Sequence, residues 1–206
     1  MKKDPPGART SRPHKAWHDR GYLPHFDEAG TVQFLTFRLV DAVPSAIVAD
    51  WKTDLKLSGG EKANDPRCAR LRGQIERFAD QGHGACWLKD ARVAAVVRDA
   101  LLHFDGERYR LLAWVIMPNH VHAVIETLPG FPLDAVIHSW KSFTAKRANR
   151  LLGRTGAFWM GDYFDRYVRD EAHLWDVMRY MEENPVKAGL VRLAKERPWM
   201  DGCLQE

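Results

Sequence analysis

The chain has 206 residues, of which 45% are hydrophobic and 28% charged, with a formal net charge of +4 and an isoelectric point near 9.0. That length and apolar content are enough for one domain with a hydrophobic core, and no apolar run approaches the ~20 residues that a membrane-spanning helix needs. The N-terminus lacks a secretory signal and the three cysteines are scattered, which favours reduced thiols and a cytoplasmic protein without a membrane partner.

The first half of the chain predicts a basic lead-in, one strand and two helices. Residues 1–20 carry six lysines and arginines among prolines, which indicates a flexible segment that either meets a polyanion or is merely solvated. Val32–Val40 is rich in β-branched and aromatic residues and predicts a strand. Residues 45–58 and 63–81 predict helices, and Gly82–Ala85 ends the second one.

The second half predicts strands and helices in alternation. They are a helix capped by Asp90 and running to Phe104, a hairpin of strands 109–117 and 120–127, a helix over 132–152, a strand over 163–168 and a helix from Asp170. The last helix should end before Pro185, because the residue that precedes a proline disfavours helical geometry. The predicted fold is α+β: a ferredoxin-like βαββαβ antiparallel sheet with helices on one face, and residues 41–90 as a helical insertion.

The hairpin is built around Pro118 and Asn119, a pair that favours a tight turn. In the second strand His120 and His122 are two residues apart, so both imidazoles point to one face and Val121 points to the other. Two imidazoles side by side can form a platform for a metal ion, although many such pairs are incidental.

The helix after Asp170 is the second place where chemistry could lie. Tyr180 and Asn184 are four residues apart, so their side chains stack one turn above the other on a polar edge of the helix. A nucleophile and a metal-binding oxygen could thus reach one site together. The alternative is an ordinary amphipathic helix with a half-buried tyrosine and an asparagine at its C-terminus.

Basic side chains concentrate on the 132–152 helix and just after it. The mild positive net charge suits a polyanionic partner, and few acidic residues balance this helix, so it is a candidate phosphate-binding face; a solvated helix face is the other interpretation. Lys187, close to Tyr180 in sequence, is a further candidate, with helix-end packing as its alternative. The candidate contacts are Lys141, Lys146, Arg147, Arg150, Arg154 and Lys187.

Four segments resemble, in their order, the REP-associated tyrosine transposases, a family of the HUH (His-hydrophobic-His) single-tyrosine transposase superfamily. They are Met117–His122, Lys141–Arg147, Tyr163–Asp170 and Tyr180–Leu190. The resemblance implies that His120, His122 and Asn184 hold a divalent metal ion, either Mg²⁺ or Mn²⁺. It also implies that Tyr180 is the catalytic nucleophile, and that the basic residues above contact DNA.

The resemblance further implies a reaction and a partner. Tyr180 would attack a phosphodiester of single-stranded DNA, leaving a 5′-phosphotyrosine and a free 3′-hydroxyl that can rejoin strands without ATP. The substrates would be hairpin-forming repeats, and the enzyme would be a nucleoid-associated cytoplasmic monomer or homodimer. The implied domain is 21–195, followed by a tail of 196–206. Two departures from the family pattern, the long insertion at 41–90 and the loosely matching tail, are expected to leave the chemistry untouched.

Two other functions stay open at this point. A non-catalytic module of the same fold could bind a DNA or RNA hairpin, which the intact set of histidines, tyrosine and asparagine argues against. A zinc hydrolase could use His120 and His122, but the sequence shows no nearby Asp-His pair that would supply further ligands.

Overall fold

The computed structural model describes most of the chain from residue 30 onward. Before that, β1 (Trp17–Asp19) and β2 (Pro24–Phe26) form a separate two-stranded antiparallel ladder, of which only the backbone is described. The rest of the predicted lead-in, and most of the predicted tail, lie outside the described residues. The described residues are 17–19, 24–26, 30–59, 61, 65–191 and 199–202.

The centre of the fold is a five-stranded antiparallel sheet with the order β6-β3-β5-β4-β7. Its strands are β3 (Val32–Arg38), β4 (Tyr109–Ile116), β5 (His120–Thr127), β6 (Phe164–Tyr167) and β7 (Met200–Asp201). The predicted hairpin is confirmed, and its second strand, β5, lies in the middle of the sheet. The short strand β7 comes from the predicted tail and pairs with the free edge of β4.

Six helices lie within the described ranges, and three of them begin at an aspartate cap. They are α1 (Ser45–Asp54), α2 (Pro66–Asp80), a 3-10 helix (Trp87–Lys89), α3 (Ala91–Leu102), α4 (Leu133–Leu151) and α5 (Glu171–Lys187). The carboxylates of Asp65, Asp90 and Asp170 accept hydrogen bonds from backbone N–H groups in the first turns of α2, α3 and α5. The predicted cap at Asp90 is confirmed, although α3 ends just before Phe104. Among these helices, none is both long and apolar enough to cross a membrane.

Helices cover both faces of the sheet. The two helices of the βαββαβ pattern, α3 and α4, pack on one face as predicted, and together with α2 they enclose the larger core. The additional helix α5 packs on the opposite face, where Val177 and Met181 meet Val124 of β5. The α+β class and the antiparallel sheet of the prediction are confirmed. The face under α5 is the one toward which His120 and His122 point.

Helix α5 continues through Pro185, so the prediction that it ends before this proline is wrong. A proline deprives a helix of one N–H donor, but the hydrogen bonds made by the residues after Pro185 still close the last turn. The N–H of Ala188 closes the last turn with a 2.9 Å hydrogen bond to the carbonyl oxygen of Asn184. Asn184 therefore keeps helical geometry and stays one turn beyond Tyr180.

The insertion between β3 and α3 is folded onto the sheet. One side of α2 is buried in the larger core and comprises Leu71, Ile75 and Ala79. The adjacent side is polar and comprises Arg72, Glu76 and Asp80. Since each polar residue follows a buried one directly, burying the apolar side also fixes where the charged side points.

Candidate active site

The two predicted histidines lie in the middle of the sheet. In β5, His120 and His122 pair with Arg38 and Thr36 of β3. Each imidazole is only 1% exposed, and their Nε2 atoms are 3.0 Å apart. The predicted arrangement of two imidazoles side by side on one face is confirmed.

Each imidazole is oriented by a hydrogen bond at its Nδ1 atom. Asn119 Oδ1 lies 2.7 Å from Nδ1 of His120, and Thr36 Oγ1 lies 2.8 Å from Nδ1 of His122. The amide nitrogen of Asn119 already donates to two backbone carbonyl oxygens, which assigns Oδ1 as the acceptor and the proton to His120 Nδ1. Nε2 of His120 is then a bare lone pair, the form in which an imidazole binds a metal ion.

Burial keeps both imidazoles neutral at pH 7. Loss of hydration, followed by the neighbouring imidazole and Arg38, holds the pKa of His120 well below its usual 6.5. Burial and then Arg38 lower the pKa of His122 to about 3. Neutral imidazoles can take up a divalent ion without first releasing a proton.

Helix α5 brings Asn184 to the same point. Its side chain is 1% exposed, and its Nδ2 lies 3.0 Å from Nε2 of His122. A half-turn of the amide exchanges nitrogen and oxygen and presents Oδ1, a metal-binding atom, at the same position. The predicted meeting of β5 with the helix that carries Asn184 is therefore present in a single chain.

Tyr180 lies beside the imidazoles, one turn before Asn184. Its ring meets His122 edge to face with centroids 5.5 Å apart, and it meets Phe34 in the same way at 6.0 Å. Phe34 in turn stacks on His122 at 5.2 Å, so one buried phenylalanine holds both rings. The hydroxyl of Tyr180 is buried, makes no hydrogen bond of good geometry within the described part of the chain, and lies near the side chains of Asn184 and Asp80.

The surroundings of Tyr180 oppose its ionisation. Burial first, and then the carboxylates of Glu76 and Asp80, raise the pKa of the phenol far above its usual value of 10. The candidate nucleophile is therefore a neutral phenol at pH 7, and removing its proton needs a compensating positive charge.

Asp80, the last residue of α2, is a site residue that no sequence motif marks. Its Oδ1 lies 3.4 Å from Nε2 of His120, and one ligand atom from each of Asp80, His120 and His122 lies within 4.8 Å of the others. The inserted segment therefore reaches the site, and whether it takes part in the chemistry stays a prediction. The only signal in the sequence was the position of Asp80 directly after the buried residue Ala79.

The donor set suits a divalent ion. The Nε2 atoms of His120 and His122 and a carboxylate oxygen of Asp80 are metal-ligating atoms that lie within 4.8 Å of one another. The lack of a third ligand no longer argues against a zinc hydrolase, because Asp80 is in place.

Four of the six predicted DNA contacts lie on α4, which packs on the opposite face of the sheet from the imidazoles. Lys146, Arg147 and Arg150 are exposed there. Lys141 is half-buried, and its ammonium donates a 2.8 Å hydrogen bond to the carbonyl oxygen of Gly161. Burial lowers the pKa of Lys141 to about 8. The structure thus does not bring these residues together with Tyr180.

The other two predicted contacts have partners within the protein. The guanidinium of Arg154 lies 3.7 Å above the ring of Trp87 and donates to Asn149. Lys187 forms an exposed ion pair with Glu183 one turn earlier, at 2.7 Å. These contacts account for Arg154 without a nucleic acid, and the ion pair leaves the role of Lys187 a prediction.

Two further arginines lie nearer the site, Arg72 outside the four segments quoted above and Arg166 within Tyr163–Asp170. Arg72 of α2 lies 5.8 Å over the ring of Phe164, and Phe164 meets Phe34 edge to face. Arg166 lies two residues after Phe164 on β6, so both point to the face under α5. The rings of Phe164 and Phe34 therefore connect Arg72 with the imidazole of His122.

Comparisons with known proteins agree with this geometry. The family described as IS200-like transposases matches residues 90–184. No curated protein matches the sequence. A REP-associated tyrosine transposase, solved bound to a REP hairpin, has a TM-score of 0.51 and 16% identity over 85% of this chain and 79% of that chain. At this identity the likeness shows a shared fold.

A second solved structure, described as a candidate transposase from Deinococcus radiodurans, covers 81% of this chain and 96% of its own at 13% identity. Its TM-score of 0.36 is too low to support an argument. The segment matched by the transposase family contains both histidines, Tyr180 and Asn184, and it begins after Asp80. The predicted resemblance to the single-tyrosine transposases is therefore confirmed, and residues 90–184 carry the match to the IS200-like transposase family.

Proposed function

We propose that this protein is a metal-dependent transesterase that cleaves and rejoins single-stranded DNA through Tyr180. The observation that supports it is the meeting, on one buried face, of two neutral imidazoles from β5 with the phenol and amide of α5. The family match supports a transposase kind of enzyme. The tyrosine mechanism and the roles of the individual residues are the proposal.

The proposed reaction exchanges one phosphodiester for another. Tyr180 Oη attacks the phosphorus, so that the Tyr–O–P bond forms while the P–O3′ bond breaks. One DNA strand is left with its 5′-phosphate on Tyr180, and the other ends in a 3′-hydroxyl. The phenol gives up one proton and the departing 3′-oxygen takes one up. Attack by a 3′-hydroxyl on the phosphotyrosine reverses the step without ATP, because the covalent link conserves the phosphodiester bond.

His120, His122 and Asn184 would hold Mg²⁺ or Mn²⁺, since nitrogen and oxygen donors together suit these ions. When bound, such an ion supplies positive charge that stabilises the phosphoryl oxygens and the phenolate. The protein's own part is to place the reacting groups. Phe34 fixes the ring of Tyr180 against His122, and the hydrogen bonds at each Nδ1 orient the two imidazoles.

The partner we propose is single-stranded DNA, with hairpin-forming repeats as the substrate class. The REP-associated relative is itself bound to a REP hairpin. Lys146, Arg147 and Arg150 would attract phosphates on the α4 face, and Arg72 and Arg166 would do so on the face of Tyr180. A substrate that touches both faces has to be long or folded back on itself, which a hairpin with a single-stranded flank satisfies.

A single chain supplies every residue of the proposed site, since the 3.0 Å contact between Asn184 and His122 lies within one molecule. The site therefore does not require a dimer for its assembly. A nucleoid-associated location would follow from DNA binding and stays a prediction.

The test uses hairpin oligonucleotides from the DNA that flanks the gene, labelled at either the 5′ end or the 3′ end. With Mn²⁺, a 3′-labelled strand should become attached to the protein on a denaturing gel, while a 5′-labelled strand should only become shorter. EDTA and Tyr180→Phe should each abolish both products. DNA binding without any adduct across many flanking sequences, unchanged in Tyr180→Phe, would overturn the proposal and favour a non-catalytic hairpin-binding module.

A further inference from the structure

We propose that the carboxylate of Asp80, at the end of the inserted helix α2, is an additional, negatively charged ligand of the divalent ion. The insertion is then part of the active site. The inference rests on the proposed function for the presence of the ion. It goes beyond the family match, because that match begins at residue 90 and leaves α2 outside.

The first support is the position of the carboxylate. Asp80 Oδ1 lies 3.4 Å from Nε2 of His120, and the ligand atoms of Asp80, His120 and His122 lie within 4.8 Å of one another. The 3.4 Å separation is longer than the ~2.7–2.9 Å of a charge-assisted hydrogen bond. It is instead close to the separation of about 3.0 to 3.4 Å between two neighbouring ligands of one ion.

The second support is the burial of this oxygen. Asp80 Oδ1 is buried, and within the described ranges of the chain it accepts no hydrogen bond of good geometry; its polar neighbours besides His120 are the side chains of Asn184 and Tyr180. A buried carboxylate oxygen that lacks a strong partner destabilises a fold unless a positive charge compensates it. The hydroxyl of Tyr180 lies buried beside the same imidazoles.

The third support is a shared anchor. Asn119 donates through Nδ2 to the carbonyl oxygens of Ala79 and His83, at 3.0 and 2.9 Å, which fixes the end of α2 on both sides of Asp80. Its Oδ1 meanwhile accepts the proton of His120 Nδ1. One buried amide therefore positions Asp80 and His120 with respect to each other, as the supporting residues of a metal site do.

A carboxylate changes which ions the site can hold. Two imidazoles and an amide are neutral donors, and Asp80 adds a hard, negatively charged oxygen. Mg²⁺ and Mn²⁺ favour such oxygens, so binding of these ions should depend strongly on Asp80. The inserted helix would then set the metal affinity of a site whose remaining ligands lie in the family segment.

The test measures Mn²⁺ binding to the full-length protein without DNA, by titration calorimetry and by the EPR signal of free Mn²⁺. Asp80→Asn removes the charge at nearly constant shape, and Glu76→Gln is the matched control, because Glu76 carries the same charge one turn earlier on α2 and lies outside the ligand group. We expect Asp80→Asn to weaken Mn²⁺ binding at least about tenfold, and Glu76→Gln to stay close to wild type. Unchanged affinity in Asp80→Asn, with His120→Ala impaired, would overturn the inference.

Circular dichroism melts in EDTA check the fold of each variant. Asp80→Asn should melt no earlier than wild type, because it removes the charge of a largely buried carboxylate. It should also lose most of the rise in Tm that Mn²⁺ gives the wild type. If Asp80→Asn melts at a lower temperature than wild type, Asp80→Ser is measured in the same way.

The adduct assay separates this inference from the proposed function. Asp80-dependent Mn²⁺ binding without any Tyr180 adduct would refute the reaction and keep the ligand. Adduct formation and Mn²⁺ binding that are equal in wild type and Asp80→Asn would refute the ligand and keep the reaction.

Discussion

Nδ2 of Asn184 lies 3.0 Å from Nε2 of His122, although 62 residues separate the two along the chain. The contact joins the last turn of α5 to the central strand of the sheet. It also brings Tyr180, one turn earlier on α5, against the edge of the same imidazole. The proposed chemistry depends on this meeting of a strand and a helix that are distant in sequence.

Replacing Tyr180 with phenylalanine should end strand transfer without weakening the fold. The hydroxyl makes no hydrogen bond of good geometry in the described part of the chain, and the ring contacts with Phe34 and His122 remain. We therefore expect the free energy of unfolding to change by less than about 1 kcal/mol. Urea denaturation measures the stability, and the adduct assay measures transfer. A larger loss of stability would mean that the hydroxyl makes a structural hydrogen bond.

Replacing Asn119 with alanine should lower both stability and metal affinity. The change removes the acceptor for His120 Nδ1 and the donor to the carbonyl oxygens of Ala79 and His83 at the end of α2. We expect a loss of about 2–4 kcal/mol in the free energy of unfolding and Mn²⁺ binding weaker by about 10- to 100-fold. Thr36→Val, which removes only the hydroxyl at His122 Nδ1, should lose less stability. Equal losses in the two variants would argue against the anchoring role of Asn119.

Gly84 should tolerate no side chain. Its φ is +86°, and a Cβ there would stand 2.7 Å from the carbonyl oxygen of Asp41, so Gly84→Ala should cost about 1–3 kcal/mol of stability. Gly82→Ala is the matched comparison, since Gly82 also has positive φ but nothing within 4 Å of its Cβ position. Because His83 between them supplies a carbonyl oxygen to Asn119, Gly84→Ala should also weaken Mn²⁺ binding more than Gly82→Ala does. Urea denaturation and calorimetry rank the two variants, and the reverse order would contradict this view of the loop.

Lys141 should make DNA binding depend on pH. Burial lowers its pKa to about 8, so the free protein loses this charge as the pH rises from about 7 to 9. If Lys141 contacts a phosphate, affinity for hairpin DNA should fall by up to about tenfold per pH unit above pH 8. In Lys141→Arg this fall should disappear, because a guanidinium stays protonated. Wild-type affinity that stays level from pH 7 to 9 would remove Lys141 from the DNA contacts.

The same lowered pKa fixes the sign of a stability effect. Between about pH 8 and 10.5 the unfolded chain holds the Lys141 proton and the folded chain has released it. Wherever the unfolded state binds more protons, stability rises with pH. The contribution of Lys141 to the free energy of unfolding should therefore increase over this interval. The difference between wild type and Lys141→Met across the interval, measured by urea denaturation, isolates that contribution.

Local periodicity was enough to predict the parts of the site that lie within one element. The period of two along β5 placed His120 and His122 on one face, and the helical period placed Asn184 one turn beyond Tyr180. The rule that stops a helix before proline failed at Pro185, where the N–H groups of Ala188 and Leu190 bond to the carbonyl oxygens of Asn184 and Pro185 and carry the helix past the missing donor.

What the sequence could not provide depends on packing between distant elements. Nothing within α2 tells which part of the sheet its charged side will meet, so Asp80 could not be assigned to the site. The positive charge of Arg154 was visible, but its stacking over Trp87 arises only when α4 and the insertion are packed together. For the same reason the sequence could not show that α4 and α5 cover opposite faces.

The central claim is tested most directly by identifying the side chain that becomes linked to DNA. Wild-type protein is incubated with hairpin oligonucleotide and Mn²⁺, the adduct is digested with nuclease and protease, and mass spectrometry locates the remaining nucleotide. The account predicts a 5′-nucleotide ester on Tyr180 alone. A nucleotide on another residue, such as the exposed Tyr167, or DNA cleavage without any covalent intermediate, would contradict it.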